Sequence, residues 1–184
     1  MSTSATRPAA GASRKKSAPQ PDARPGTVRR LAATEPPVVS RPRLREVAAP
    51  SFAGIVASKP VTGIEAIHAI RAGYPAAIIK EASSYFTVPD ARIQKIVQVP
   101  ASTASRLEKK QARIDSAATE RIFRMGCVTR MAIEVFEQED AAIAWMCQPN
   151  RALGDTAPLE LMDTEPGAVS VRLVLNAIAT GGAA

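Results

Sequence analysis

The stretch from Trp145 to Thr164, WMCQPNRALGDTAPLELMDT, decides the fold predicted for this chain. Pro149 and Asn150 stop a helix, and Gly154 supplies a turn that tolerates a positive φ. Pro158 lies where the first turn of a helix has no use for its missing N–H. The stretch therefore predicts a helix, a fixed turn and a new short helix in close succession.

The spacing of this stretch resembles the C-terminal toxin-binding domain of the Xre/MbcA/ParS antitoxins, and within that family it looks most like ParS. The family pattern is a Trp-containing helix, then Pro-Asn, Leu-Gly, Thr-x-Pro-Leu-Glu-Leu and Asp-Thr. This chain carries the pattern as Trp145, Pro149, Asn150, Leu153, Gly154, Thr156, Pro158, Leu159, Glu160, Leu161, Asp163 and Thr164. The resemblance implies a type II antitoxin paired with a RES-domain toxin, which uses NAD by breaking it down or by ADP-ribosyl transfer.

Length and composition favour an all-α region with an appended arm. The 184 residues have room for one domain of common size and an appendage. Only 4% of the residues are aromatic and alanine is abundant, which favours closely packed helices over a β-sandwich. No apolar run approaches the ~20 residues of a membrane span, and no signal-peptide apolar stretch of ~7–15 residues follows the N-terminus. We therefore expect a cytoplasmic bacterial protein without a membrane partner.

The excess positive charge lies in the N-terminal arm. Residues 1–50 hold ten Lys or Arg and three Asp or Glu, whereas residues 51–184 hold fourteen of each, so the net charge of +7 comes from the first fifty. Eight of the fifteen prolines lie there too. We expect residues 1–58 to form a disordered basic arm, because this composition buries too little apolar area. The arm either only solubilises the protein or follows DNA phosphates as a polycation.

Residues 59–136 are predicted to form an Xre-like helical domain. Thr62 and Glu65 make a candidate capping box for a helix that ends at Gly73. A second helix is predicted to start with Pro75 and to run to about Phe86.

Residues 90–110 have the pattern of a helix-turn-helix. Asp90 is predicted to be the N-cap of its first helix and Ser102 that of its second, with Val99 and Pro100 between them. The outward side chains of the second helix are those that a recognition helix offers to bases and phosphates. The candidate DNA-binding residues are Ser102, Thr103, Ser105, Arg106, Lys109 and Lys110.

A third helix, from Asp115 or Ser116 to Phe136, is predicted to brace this pair. The region from about 75 to 136 resembles the Xre-like N-terminal domain of the same antitoxins, with SRLEKKQARIDSAATERIFRM as the matching stretch. Helix-turn-helix proteins often have Gly in the turn, but this chain has Gln98, where left-handed backbone would cost roughly 1 kcal/mol. Two interpretations stay open: an operator-binding unit, or a trihelical dimerisation scaffold without DNA contact.

Residues 137–184 are predicted to form a small helical toxin-binding domain. After an acidic linker over 137–140, a helix over 141–148 leads into the motif, and a last helix follows Thr164 and ends at Gly181. Because so small a module cannot cover all its apolar side chains, some should stay exposed for a partner. That exposed set is expected among Leu159, Met162, Val169, Val171 and Leu173. The candidate toxin-binding residues are Pro158, Leu159, Glu160, Met162, Asp163, Val171, Leu175, Ile178, Gly181 and Gly182.

Two stretches of opposite charge suit two different partners. Residues 101–130 carry seven basic and three acidic groups, a net +4, and residues 131–184 carry two basic and eight acidic groups, a net −6. A cleft shaped for the NAD pyrophosphate should be cationic, so the acidic end complements it. Residues 179–184 form a thin segment that we expect to plug such a cleft.

The chain lacks the residue clusters that an enzyme needs. It has one His, two separated Cys and neither a glycine-rich phosphate loop nor a cluster with metal-ligand spacing. We expect no catalytic residue, no metal and no cofactor. His68 is expected to be a surface or half-buried packing residue, and Cys127 and Cys147 to be reduced thiols.

The predicted function is therefore that of an antitoxin that occludes the active site of a RES-domain toxin. It is expected to be a homodimer, to form a higher-order complex with the toxin, and to repress its own operon by binding operator DNA. One alternative is a stand-alone helix-turn-helix regulator in which residues 137–184 form a dimerisation or effector module. Another is a scaffold protein without DNA contact.

Overall fold

The computed structural model describes residues 50–58 and 62–182, and it confirms the all-α prediction. The described residues form α1 (Phe52–Ala57), α2 (Gly63–Ala72), α3 (Ile78–Phe86), α4 (Asp90–Val97), α5 (Ala101–Lys109), α6 (Ser116–Phe136), α7 (Glu139–Cys147) and α8 (Glu165–Ala179). A first 3₁₀ helix (Arg151–Leu153) and a second 3₁₀ helix (Pro158–Asp163) lie between α7 and α8. Residues 1–49, most of the predicted arm, lie outside the described residues.

The 21-residue helix α6 is the centre of the fold. Helices α1, α2, α4, α7 and α8 and the second 3₁₀ helix all pack against it. Its buried residues therefore extend around more than one face, and include Ile122, Met125 and Val128. Gly126 allows α1 to approach closely, because a Cβ there would lie 2.6 Å from Ile55 Cγ2. One continuous hydrophobic core results, with contributions from α1 through α8.

The prediction of an arm that extends to residue 58 is wrong at its C-terminal end, because α1 is part of the core. Ser51 Oγ caps this helix by accepting a hydrogen bond from Gly54 N at 3.0 Å. Phe52 is fully buried, with its ring centroid 5.2 Å from that of Tyr85 and 5.5 Å from that of Phe86. A six-residue helix depends on tertiary packing and leaves little signal in the sequence.

Two predictions for α2 and α3 need correction. Thr62 precedes α2 but its side chain makes no cap hydrogen bond, so the capping box is not formed, whereas Gly73 does end the helix with φ 77°. Helix α3 begins at Ile78 and not at Pro75. The cause is a long-range contact, since Pro75 pairs with Arg113 in an isolated antiparallel bridge.

The helix-turn-helix is confirmed as α4, a turn and α5, but its predicted N-caps are wrong. Pro89 and Pro100 occupy the N-cap positions, so Asp90 and Ala101 are the first helical residues. Both prolines have φ close to −60° with an extended ψ, a conformation that the pyrrolidine ring favours. Helix α4 therefore begins one residue and α5 two residues earlier than predicted, and neither Asp90 nor Ser102 is a cap.

The predicted limits of α6 and the start of α8 are confirmed by their caps. Asp115 caps α6 by accepting a hydrogen bond from Ala118 N at 2.7 Å. Thr164 caps α8 by accepting one from Gly167 N at 3.3 Å. Helix α7 starts at Glu139, two residues before its predicted start, so the acidic linker is shorter than expected.

Helix α7 is joined to α3 by a hydrogen bond and to α6 by an aromatic contact. The Tyr85 hydroxyl on α3 donates a hydrogen bond to Glu139 Oε1 at 2.5 Å. Burial, and then this bond, raise the pKa of Tyr85 above its ordinary value, so the hydroxyl stays a donor at neutral pH. Trp145 is half-buried, with its ring centroid 5.6 Å from that of Phe136 at the end of α6.

Replacing Phe52 by Ala should lower the free energy of unfolding by about 3–5 kcal/mol, because it leaves a cavity against two aromatic rings. Chemical denaturation of the full chain measures the change. Ile64→Ala is the matched control: Ile64 is 61% exposed, so this substitution should change the free energy by less than about 0.5 kcal/mol. Equal effects of the two substitutions would show that α1 is not part of the core.

Candidate functional site

Residues 145–164, here called the signature segment, contain a turn that Asn150 holds closed. Asn150 N donates a hydrogen bond to Thr156 O at 3.2 Å, and Asn150 O accepts one from Asp155 N at 3.0 Å. Its side-chain Oδ1 accepts a third from Ala152 N at 2.8 Å. Gly154 has φ 68°, the left-handed conformation predicted from the sequence. The Asn and Gly of the motif are thus required by the backbone of the turn.

The second half of the signature segment packs against the core. Pro158 occupies the first turn of the second 3₁₀ helix, as predicted. Leu159 and Met162 are fully buried. Helix α8 follows directly and lies close to this helix, because a Cβ on Gly167 would collide with Leu161 O. The Pro and Leu of the motif therefore serve first to fix the segment onto the rest of the protein.

Arg92 of α4 is the first of three arginines that hold the signature segment. Its Nη2 donates to Cys147 O at 3.2 Å and contacts Glu160 Oε1 at 3.3 Å. The Nε atom of this side chain is buried without a hydrogen-bond partner among the described residues. Arg92 thus joins the helix-turn-helix to both ends of the segment's turn.

Arg124 of α6 is the most deeply buried of these arginines, with 9% of its surface exposed. Its Nη1 donates to Met162 O at 3.1 Å, and its Nε lies 3.1 Å from Glu165 Oε2. Glu120, one turn earlier on α6, pairs with the same guanidinium. Two carboxylates and a carbonyl therefore surround this buried charge, which is the arrangement that makes its burial tolerable.

Arg121, one turn before Arg124 on α6, bonds to the segment and to the helix-turn-helix turn. Its Nε donates to Asp163 O at 3.1 Å. Its Nη2 donates to Gln98 Oε1 at 2.8 Å, and its Nη1 donates to Val97 O at 3.4 Å. Gln98 lies in the left-handed region, with φ 60° and ψ 38°, so the turn keeps this geometry without glycine.

These pairings change the interpretation of the two oppositely charged stretches. Glu160 and Glu165, from the acidic stretch, pair with Arg92 and Arg124. Arg172 of α8 also pairs with Glu165. Part of the opposite charge is therefore neutralised inside the molecule, and only the remainder is available to outside partners.

The candidate toxin-binding residues divide by exposure. Pro158, Leu159, Met162, Val171 and Leu175 are buried; Asp163 and Ile178 are half-buried; Glu160, Gly181 and Gly182 are exposed. Among the apolar residues expected to supply an exposed patch, Val169 is 41% and Leu173 is 63% exposed. The expectation that some of the set stay exposed is therefore confirmed by Val169 and Leu173, whereas Leu159, Met162 and Val171 are buried where the second 3₁₀ helix and α8 pack against α6.

The candidate DNA-binding residues lie together on α5 and at its C-terminal end. Ser102, Ser105, Arg106, Lys109 and Lys110 are exposed and Thr103 is half-buried. Ala104 is buried and Leu107 is half-buried on the opposite side. The structure therefore presents a polar and basic helix face to solvent, which is the surface that a recognition helix uses.

The remaining chemically reactive side chains are isolated. Within the two described ranges, no group of three or more His, Cys, Asp or Glu could hold a metal ion. Burial raises the pKa of the Cys127 and Cys147 thiols above the ordinary value, and nearby arginines oppose that shift. His68 is exposed on α2. No helix in the part of the chain that the structure describes is long and apolar enough to cross a membrane.

Two family models match the two regions described above. The model of the antitoxin Xre-like helix-turn-helix domain matches residues 65–125, and that of the antitoxin Xre/MbcA/ParS C-terminal toxin-binding domain matches residues 131–181. This chain belongs to the Xre/MbcA/ParS antitoxin family. It is therefore an antitoxin of a toxin–antitoxin system, with a helix-turn-helix domain followed by a toxin-binding domain. The predicted family is confirmed, while the closer likeness to ParS stays a prediction.

Two curated relatives match this chain over most of their length. The chain is 27% identical over 137 residues to an Antitoxin Xre of Yersinia enterocolitica, covering 74% of this chain and 86% of that protein. It is 28% identical over 145 residues to an Antitoxin Xre of Photorhabdus laumondii, covering 78% of this chain and 92% of that protein.

The three arginines that hold the signature segment were not predicted from the sequence. One signal was available for α6, where Arg121 and Arg124 lie at i and i+3 in line with the buried Val128 and Ala132. A charged residue in an apolar stripe indicates an internal partner. Nothing local indicates that Arg92, far away in the sequence, reaches the same segment.

Proposed function

We propose that this antitoxin binds and inhibits a RES-domain toxin that uses NAD, by covering the toxin's active site with residues 137–184. The observation that carries the proposal is the exposed apolar face of α8, formed by Val169 and Leu173. Ile64 and Ile67 of α2 are similarly exposed, but Val169 and Leu173 belong to the toxin-binding domain, where a partner that covers them would bury apolar surface. The acidic groups of residues 131–184 that are not paired within the molecule add complementarity to a cationic nucleotide cleft.

The exposure of each residue refines the surface proposed for toxin contact. Its direct contacts are Glu160, Asp163, Val169, Leu173, Ile178, Gly181 and Gly182, which are exposed or half-buried. Leu159, Met162, Val171 and Leu175 are proposed to act from beneath, because they fix α8 and the second 3₁₀ helix on α6. The partner thus meets a preformed surface, which lowers the entropy cost of association.

The end of the chain is proposed to enter the toxin's cleft as a narrow plug. Helix α8 ends at Ala179 with Thr180 as its C-cap, and Gly181, at φ 72°, turns the backbone away from the helix axis. Gly181 and Gly182 are exposed and present no bulky side chain. Residues 183–184 lie outside the described residues.

Leu173→Asp should weaken toxin binding by about tenfold or more, because it places a charge at the centre of an apolar contact. The probe is the product of the gene beside the antitoxin gene, and isothermal titration calorimetry measures the affinity. Ile64→Asp is the matched control, since Ile64 is similarly exposed but lies on α2. Unchanged affinity for the Leu173 variant would show that the apolar face of α8 is not the contact surface.

Deleting residues 179–184 should lower inhibition of the toxin's NAD consumption by about tenfold or more, a change that matches the removal of one well-placed interaction. The deletion should leave the folded core intact, because the fully buried Val171 and Leu175 precede it. Full inhibition by the shortened chain would refute the plug. A neighbouring gene product that neither binds this chain nor consumes NAD would favour the stand-alone regulator instead.

We also propose that the protein acts as a homodimer that represses its own operon through α5. The exposed Ser102, Ser105, Arg106, Lys109 and Lys110 and the half-buried Thr103 support this role. Two copies of α5 about 34 Å apart would meet successive major grooves of a palindromic operator. The basic arm, through its ten Lys and Arg residues, would add affinity that falls as salt rises.

Replacing both Arg106 and Lys109 by Ala should weaken operator binding and lower its salt dependence, with the slope falling by about 1 for each phosphate that is no longer bound. Fluorescence anisotropy with a duplex from upstream of the antitoxin gene measures both quantities. A matched double variant, Arg71→Ala with Arg151→Ala, removes the same charge from exposed positions on α2 and the first 3₁₀ helix. If both double variants bind like the wild type, the scaffold interpretation is favoured.

A further inference from the structure

The guanidinium of Arg121 contacts the two functional regions at the same time. One edge donates to Asp163 O, where the second 3₁₀ helix meets α8, and the other donates to Gln98 Oε1 and Val97 O in the helix-turn-helix turn. Arg92 and Arg124 also reach the signature segment, but their hydrogen bonds within the described residues do not include Gln98. Among these three arginines, Arg121 is therefore the one that links the signature segment to the turn of the helix-turn-helix.

The turn that Arg121 holds is the element that orients α5. Gln98 has left-handed backbone, a conformation that a non-glycine residue adopts at an energetic cost. Helix α5 buries Ala104, packs Leu107 half-buried against the core, and is tied to α3 by the surface Lys80–Glu108 ion pair. With so few packing contacts, the direction in which α5 points also depends on the dihedral angles of the turn that precedes it.

We propose that Arg121 is a positioning residue that couples toxin binding to DNA binding. Toxin contact on α8 and Glu160 fixes the signature segment, which holds Asp163 O against the Arg121 guanidinium. The guanidinium then holds Gln98 in the conformation that presents α5 to a major groove. The two ligands in this scheme come from the proposed function, whereas the link itself stands on the three hydrogen bonds.

Only an arginine has the shape that this link requires. The guanidinium is a rigid plane with donors on separate edges, so a displacement at Asp163 rotates the donors that face Gln98. A lysine has the same charge but a single ammonium group, which cannot span both partners. Arg121→Lys therefore separates the effect of the link from the effect of the charge.

The first experiment tests the link without either ligand, by amide hydrogen exchange in the full chain. Thr164→Ala removes the cap of α8 beside Asp163, and it should speed exchange at Val99, whose amide donates to Gln94 O at 3.0 Å, by about fivefold. In an Arg121→Lys background, the same substitution should add less than about twofold at Val99, because the link is already broken.

Exchange at Ile114 is the internal control, because its amide donates to Tyr74 O, away from the turn. Arg92→Lys is the matched variant, since it loosens the same segment without touching Gln98, and it should leave the response of Val99 to Thr164→Ala intact. Additive effects of Thr164→Ala and Arg121→Lys at Val99, or equal acceleration at Ile114, would overturn the proposal.

The second experiment measures operator affinity with and without the product of the neighbouring gene, using the duplex from upstream of the antitoxin gene. In the wild type, the toxin should raise operator affinity by about fivefold or more. In Arg121→Lys, both ligands should still bind but the toxin should change operator affinity by less than about twofold. Equal enhancement in the two proteins, or none in the wild type, would refute coupling. If the wild type binds neither ligand, the proposed function fails, and the exchange experiment still decides the link.

Discussion

The long helix α6 has to provide buried surface for two regions at once, and the rest of the structure follows from that constraint. The helix-turn-helix region packs against α6 through α4, and the C-terminal region does so through the second 3₁₀ helix and α8. Polar side chains on α6 can be buried only if their hydrogen-bonding groups have partners. The buried Thr119 hydroxyl donates to Asp115 O, and the buried Thr129 hydroxyl donates to Met125 O, in each case one turn earlier. The two regions therefore share one core.

Arginines from the helix-turn-helix region and α6 supply the donors that the signature segment lacks. A short 3₁₀ helix leaves carbonyl groups at its end without intrahelical partners, and Arg124 and Arg121 satisfy those of Met162 and Asp163. Buried or half-buried contacts of this kind, between an arginine and a carbonyl or a carboxylate, contribute little net stability, because the cost of desolvating the arginine offsets most of the attraction. Their larger effect is geometric, since a planar guanidinium accepts only a narrow range of partner positions. The signature segment is thus held in one position relative to α4.

Some features set by local chemistry could be predicted from the sequence, although the caps expected at Thr62, Asp90 and Ser102 do not form, and features set by distant contacts could not be predicted. The caps at Asp115 and Thr164 act within one helical turn, so the start of α6 and that of α8 were predictable. The start of α3 was not, because Pro75 pairs with a residue beyond the helix-turn-helix. The basic face of α5 needed only helical periodicity. For α8, periodicity groups Val171 with Leu175, but it does not say whether that group faces the core or the solvent.

Helix α8 carries apolar residues on two opposite faces, and this explains why one part of the expected set is exposed while another part is buried. Val171 and Leu175 form one pair at i and i+4, and Val169 and Leu173 form another, rotated by about 200°. The first pair is fully buried, and the second is exposed. A helix that is apolar on both sides is normally enclosed on both sides. The core of this chain covers one face, so the other face remains available for a partner. Leu173 is therefore better placed for the proposed toxin contact than any of the buried motif residues, which the fold alone explains.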